Sequence, residues 1–256
     1  MLLAIDVGNT HIVVGAYRDA KLLRSWRLKT DRERTTDEIG MLLLQLFRSA
    51  GLEASDVREA IACSVVPPLS YAVQRAAKRY FDVELSMVGP GMRTGMPILY
   101  DNPREVGADR IVNAVAAYEK VKSGVIVVDF GTATTFDCVT PKGEYLGGVI
   151  VPGIQVSLDA LIQRTAKLPR VEIAWPSGVV GRNTVESIQS GILFGYVSLV
   201  DGLIERIRQD LSFEAGVIAT GGLARTVSAE SRHIGDVDSL LTLEGLRILS
   251  ARTRKS

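Results

Sequence analysis

The chain is expected to fold as a duplicated α/β protein. It should form two domains, each a mixed five-stranded sheet with flanking helices, around a central cleft. Three observations predict this. Val125–Asp137 reads VIVVDFGTATTFD, an apolar run ending in Asp129, then Gly131-Thr132, then a second run from Thr134 to Val139. That is a strand, a tight turn rich in hydroxyls, and a returning strand. The chain begins with the same device: Leu2–Ile5, then Asp6-Val7-Gly8-Asn9-Thr10, then Ile12–Gly15. The two aspartates lie 123 positions apart, about half of the 256 residues, which suggests duplication. The third observation is the element order of the first half, three strands followed by helix–strand alternation.

Taken in order, Leu2–Asp6 and Ile12–Tyr17 flank the first turn, and Leu22–Leu28 alternates as a half-buried strand does. Thr36-Asp37 is expected to cap a helix reaching Ala50, with Ile39, Leu42, Leu43, Leu46 and Phe47 at helical spacing and Gly51 at its end. Ala60–Val66 reads as a buried strand, Leu69–Phe81 as a helix introduced by Pro67 and Pro68, and Val83–Val88 as a short strand. Residues 89–106 are broken by Gly89, Pro90, Gly91, Gly95, Pro97 and Pro103. So long an irregular connection is either a binding loop or a solvated linker. Gly107-Ala108-Asp109-Arg110 then opens an apolar helix over Ile111–Tyr118.

The second half repeats the plan. Val125–Asp129, Thr134–Val139 and Tyr145–Val151 form a meander, and Gly153 opens a helix carrying Ser157, Leu158, Leu161 and Ile162. Residues 165–180 are irregular, and Trp175 there is either a substrate wall or a packing anchor. Asn183 or Thr184 caps a long helix whose apolar face is expected to be Ile188, Ile192, Leu199, Leu203 and Ile207. Ser187, Gly191 and Gly195 make a small-residue stripe suited to close helix contact, within the subunit or across a dimer. Val217–Thr220 ends a strand at Gly221-Gly222, and Leu240–Ala251 is a final amphipathic helix. The domain boundary is expected at 118/119, giving domains 1–118 and 119–256.

Composition excludes several classes. With 30 basic and 29 acidic residues the net charge is +1, so there is no basic field for nucleic acid. The basic end Arg252-Thr253-Arg254-Lys255 reads as a solvated terminus. The apolar runs are shorter than a membrane span, so no membrane partner is expected. Cys63 and Cys138 sit in apolar contexts without a Cys-x-x-Cys, as buried thiols of a reducing compartment do. A core strand at the N-terminus leaves no signal peptide, and a cytoplasmic protein is expected.

Two places carry candidate chemistry. In each Asp-Gly-Thr turn, glycine lets the backbone approach a ligand. Thr10, Thr132, Thr134 and Thr135 offer hydroxyls. Hydroxyls and N–H groups bind phosphate oxygens, whereas Asp6 and Asp129 repel them unless a cation lies between. The turns therefore suggest metal–phosphate sites, although one such turn alone is more often a plain hairpin. Asp109 has two readings: a helix-start residue, or a carboxylate held by a rigid helix to accept a hydroxyl proton. No Gly-x-x-x-x-Gly-Lys-Ser/Thr loop occurs, which argues against the P-loop kinases.

The ordered set is Asp6–Thr10, Ser64-Val-Val-Pro67, Gly107–Arg110, Asp129–Thr135, Gly147–Gly153, Gly181-Arg-Asn-Thr184 and Thr220–Gly222. It closely resembles the type III pantothenate kinases, of the acetate and sugar kinase/Hsp70/actin superfamily, from residue 2 to about 250. His11, directly after the first turn, is a local difference from that pattern.

The resemblance implies actin-like (ribonuclease H-like) domains and ATP-dependent phosphorylation of pantothenate to 4′-phosphopantothenate, the first step of coenzyme A biosynthesis. It implies Asp109 as general base, and Tyr100 with Gly107, Ala108, Asp109 and Arg110 as the pantothenate-binding elements. Asp6, Val7, Gly8, Asn9 and Thr10 would form the first phosphate loop, with Asp6 near Mg²⁺, and Thr132 would contact ATP. Asp129 is similar to the ligand of a monovalent cation, K⁺ or NH₄⁺. Thr184 resembles a pantothenate contact offered by the partner subunit of a homodimer. Another kinase of the same fold, or a catalytically silent transcriptional accessory factor, is the alternative.

Overall fold

Leu2–Val7 (β1) is buried along its length except at Asp6, as expected for a strand with neighbours on both edges. It pairs antiparallel with β2 (His11–Arg18) and parallel with β4 (Glu59–Ser64). With β3 (Lys21–Lys29) and β5 (Leu85–Met87) at the edges, the sheet runs β3-β2-β1-β4-β5. The computed structural model describes residues 1–254. By contact they form two units: Met1–Glu119 together with the chain from Leu240 onward, and Lys120–Ser239.

In the first unit, α1 (Thr36–Ser49) and α2 (Pro67–Phe81) bury Leu43, Phe47, Leu69 and Phe81 in one core with β1 and β4. The rings of Phe47 and Phe81 meet edge-on at 5.1 Å. The cap of α1 is Thr35, not Thr36-Asp37. Thr35 Oγ1 accepts from the Glu38 N–H at 3.3 Å, and Glu38 Oε2 accepts from the Thr35 N–H at 2.8 Å. Such a reciprocal box is worth about 1 kcal/mol.

The last helix, α7 (Leu241–Thr253), packs on β1, β2 and β4 through Leu243, Leu246 and Leu249. A division at 118/119 assigned it to the second half, but its apolar face is satisfied in the first unit. Its C-terminal arginines carry ion pairs: Arg252 Nη2 lies 2.6 Å from Glu119, and Nε of the exposed Arg254 lies 2.6 Å from Glu59. Lys255 lies outside the described residues. Arg252 also donates to the Thr94 carbonyl, which tethers the irregular connection 89–106.

The second unit repeats the topology. Its strands β6 (Val125–Phe130), β7 (Ala133–Val139), β8 (Tyr145–Pro152), β9 (Gly216–Gly221) and β10 (Asp236–Val237) run β10-β9-β6-β7-β8. Around them lie α4 (Ile154–Gln163), α5 (Thr184–Asp210) and the short α6 (Ala224–Ser228). Strand β10 and α6 are too short to show in periodicity.

The buried face of α5 is Ile188, Leu193, Tyr196, Val197, Val200 and Ile204. Leu199 is exposed, while Ile192, Leu203 and Ile207 lie at the core edge. Tyr196 fixes this rotation, because its hydroxyl donates to the Pro152 carbonyl (2.8 Å) and accepts from the Thr134 hydroxyl (2.7 Å). By length and composition α5 could cross a bilayer, but its apolar face is core of this unit. Trp175 is a packing anchor, with its ring 5.1 Å from Phe194.

Candidate active site

In the first unit, β1 delivers Asp6 beside Cys63, its register partner on β4. The Cys63 thiol donates to Asp6 Oδ1 at 3.3 Å. Helix α3 (Ala108–Val121) delivers Asp109 in its first turn. The helix starts at Gly107, whose carbonyl accepts from the N–H groups of Arg110 (3.1 Å) and Ile111 (3.3 Å). Asp109 is therefore not the cap itself; its Oδ1 accepts from the Arg110 N–H at 2.8 Å. Its carboxylate gives that first-turn N–H a second acceptor, and its charge reaches Asp6.

Electrostatics ties these groups together. Burial, and then the charge of Asp109, push the Asp6 carboxyl up to about 7. Burial raises Asp109 too, opposed by its bond to the Arg110 N–H and by the Arg110 guanidinium. The Cys63 thiol is driven well above its ordinary range by burial and by both aspartates. Two carboxylates sharing a desolvated place favour a cation between or beside them. Asp6 thus fits a Mg²⁺ site with one protein carboxylate. Among the described residues no group of three or more His, Cys, Asp or Glu is placed to hold a metal. Mg²⁺ commonly takes one or two carboxylates and completes its shell with water and substrate phosphates.

The two turns are tighter than their glycines suggested. Gly8 spends its N–H on the His11 carbonyl at 3.0 Å, and Gly131 spends its N–H on the Ala133 carbonyl at 3.1 Å. The tips expose Asn9, Thr10 and Thr132. Thr134 and Thr135 are not available as phosphate ligands. Thr134 is buried against Tyr196, and the Thr135 hydroxyl donates to Asp137 at 3.0 Å. His11 is exposed at the start of β2, and burial and Arg27 hold its imidazole below the usual range.

In the second unit, Asp129 sits on β6 in register with Thr220 of β9. Gly221 has φ +94°, and a Cβ there would lie 2.6 Å from Asp129 Oδ1 and from Phe130 N. Glycine at 221 is thus required by the chain's own packing. Thr184 opens α5 after its cap, Asn183, whose Oδ1 accepts from the Glu186 N–H at 2.9 Å. Thr184 lines a groove of about 660 Å³ with Leu161, Leu168, Arg182 and Ser187; neither Asp129 nor Thr132 lines it. Tyr100 is half-buried on the connection 89–106. Asp6, Asp109, Gly107, Ala108, Arg110, Tyr100 and the first turn therefore belong to the first unit, and Asp129, Thr132 and Thr184 to the second.

The type III pantothenate kinase family model matches residues 2–206. A type III pantothenate kinase of Myxococcus xanthus (strain DK1622) is 57% identical over 256 residues, the whole of both chains. The chain belongs to the type III pantothenate kinase family. A second relative of that name, from Anaeromyxobacter sp. (strain K), is 58% identical over 99% of this chain and 100% of its own. Among solved structures, component A of the (R)-2-hydroxyglutaryl-CoA dehydratase of Acidaminococcus fermentans aligns over 99% of this chain and 98% of its own, with TM-score 0.57 and 14% identity. That likeness is one of fold, two actin-like halves of the ATPase and sugar-kinase type.

For a type III pantothenate kinase, sequence reasoning overlooked a group of polar residues around the first turn. From its apolar context Cys63 reads only as core, yet its parallel register with Asp6 follows from placing Ala60–Val66 beside the first strand. Thr30 and Arg32 follow β3, and Arg27 lies on it. The charge of Arg27 reaches both Asp6 and His11.

Proposed function

We propose that this chain transfers the γ-phosphoryl group of ATP to pantothenate, forming 4′-phosphopantothenate and ADP, the first step of coenzyme A biosynthesis. The observation that carries the reading is Asp109, buried in the first turn of α3 and near enough to Asp6 of β1 for its charge to raise that carboxyl. The pantothenate hydroxyl oxygen attacks the γ-phosphorus, its proton passes to Asp109, and the bond to the β-phosphate oxygen breaks. A carboxylate raised above its ordinary range is a better proton acceptor. Phosphoryl transfer otherwise asks the protein for positioning and charge neutralisation.

The remaining roles are assigned on the family pattern and local chemistry. Tyr100 and Gly107–Arg110 form the pantothenate-binding elements, and the Arg110 charge suits the substrate's carboxylate. Val7–Thr10 and Thr132 bind the triphosphate. Asp6 would hold Mg²⁺, which when bound neutralises phosphate charge. Asp129 would hold a monovalent cation, since a carboxylate oxygen suits hard ions.

We assign the protein as a homodimer in which Thr184 contacts the pantothenate of the partner's site. Val179, Val180 and Val185 stand exposed beside the Thr184 groove. A Cβ at Gly191 or Gly195 would meet no atom within 4 Å. The stripe is therefore open for a second copy. The buried thiols Cys63 and Cys138 are in no disulfide and suit a cytoplasmic enzyme.

The test is ATP turnover with Mg²⁺, with and without pantothenate, in potassium and then sodium buffer, alongside light scattering for mass. Turnover requiring pantothenate and potassium, from a dimer, is expected. Turnover indifferent to the cation removes the role of Asp129. No turnover from a folded dimer overturns the kinase reading.

A further inference from the structure

The connection from β3 to α1, residues 30–35, lies along the first turn and bonds to three of its residues in succession. The Thr30 hydroxyl donates to the Gly8 carbonyl at 2.7 Å, and the Thr30 N–H donates to the Thr10 carbonyl at 3.0 Å. Between them, Arg32 Nη2 donates to Asn9 Oδ1 at 3.0 Å.

The last bond has a chemical consequence. A carboxamide has an accepting end and a donating end, and a guanidinium has donors only. With Arg32 against it, Asn9 must turn its oxygen to the arginine, and its NH₂ is the end left for a ligand. A tip that meets phosphate oxygens needs donors. The amide turned the other way would face them with a lone pair, at a site already burdened by the carboxylates of Asp6 and Asp109.

We propose that Arg32 is a positioning residue for the nucleotide: it sets the Asn9 amide with its N–H groups toward the triphosphate and holds the turn in that form. The inference rests on the kinase reading above and deepens it. Arg32 acts here through Asn9 rather than as a phosphate ligand. In the sequence it follows Asp31 in a polar connection and carries no motif of its own.

The experiment is calorimetric titration of the full-length protein with MgATP in the absence of pantothenate, joined to steady-state kinetics. Arg32→Ala should weaken MgATP binding about three- to tenfold, the net worth of one ordinary, solvent-exposed hydrogen bond. The effect should fall on the KM for ATP and leave kcat and the KM for pantothenate within about twofold. Arg32→Lys, which still donates, should recover part of the loss. Asn9→Asp keeps a partner for Arg32 but replaces donors by acceptors, and should weaken MgATP binding more than Arg32→Ala does. The deciding measurement is the double variant. If Arg32 works through Asn9, adding Arg32→Ala to Asn9→Ala costs nothing further. An equal further loss in that background would make Arg32 a direct phosphate ligand and overturn the inference. Unchanged binding by Arg32→Ala, with wild-type protein binding normally, would overturn it as well. Wild-type protein that binds no MgATP would instead sink the kinase reading beneath it.

Discussion

The hairpins β1–β2 and β6–β7 have the same ladder but are held by different means. Each first strand is flanked by an antiparallel partner and a parallel one, and each carries an aspartate just before the turn. In the first unit that turn is held by side chains in addition to backbone: Thr30 and Arg32 brace it, and Cys63 donates to Asp6. In the second it is held by backbone at close range. The Gly153 N–H donates to the Thr132 carbonyl at 3.0 Å, and a Cβ on Gly153 would stand 2.4 Å from the carbonyl oxygens of Gly131 and Thr132. A turn bound by side-chain hydrogen bonds loses them one at a time, at about 1 kcal/mol each. A turn bound by contact without room for a methyl group fails on a single carbon.

The largest difference between the units is chemical, since the proposed base lies only in the first. Asp109→Asn should lower kcat by about 10²–10⁴-fold, the usual contribution of a general base. The KM for ATP should change little, and the fold should survive, because the amide oxygen still accepts from the Arg110 N–H. Turnover close to wild type would move the base elsewhere. Near-ultraviolet circular dichroism, alongside the rate, separates loss of chemistry from loss of structure.

The next effect tests the contrast in packing. Gly221→Ala meets a φ of +94° and contacts of 2.6 Å with Asp129 Oδ1 and Phe130 N. Gly153→Ala meets carbonyl oxygens at 2.4 Å. Each should cost about 2–4 kcal/mol in urea unfolding, since backbone cannot yield as a flexible side chain does. Thr30→Val in the first unit should cost about 1 kcal/mol. Similar costs for all three would erase the distinction between the two ways of holding a turn.

Much of this was legible in the chain. Both hairpins, the strand–helix alternation and the Asp109 helix follow from apolar periodicity and turn chemistry, because one-sided burial writes itself into spacing. What escaped was whatever depends on which neighbour an element meets. Helix α7 is amphipathic wherever it docks, so its sequence does not say that Leu243 and Leu246 return to β1. Helix α5 is apolar on more than one side, and only the bond between Tyr196 and Thr134 decides that Leu199 faces out. Thr132, Thr134 and Thr135 look alike as hydroxyl donors, yet the alternation of β7 turns Thr134 inward. Thr30 and Arg32 read as an ordinary polar connection, since a hydrogen bond across 22 or 23 positions has no local pattern.

The last effect concerns the register pairs Asp6–Cys63 and Asp129–Thr220, where the residue across from the aspartate is a cysteine in one unit and a threonine in the other. Asp6 has a folded pKa of about 7 against an ordinary 3.8. Between those values the folded protein holds a proton that the unfolded chain has released, so stability from this group falls as pH rises through the window. Below 3.8 both states are protonated; above 7 the full cost of an ionised, desolvated carboxylate is present. In chelator, Asp6→Asn should therefore gain about 1–2 kcal/mol on wild type between pH 5 and pH 8, a figure reduced for partial exposure. A gain independent of pH would show that Asp6 does not titrate there. Changing the neighbour sharpens the point. Cys63→Ser supplies a stronger donor to the carboxylate, brings Asp6 down and narrows the window. Cys63→Ala removes the donor and widens it. The two variants should displace the pH dependence in opposite directions, which loss of packing at a buried site would not do.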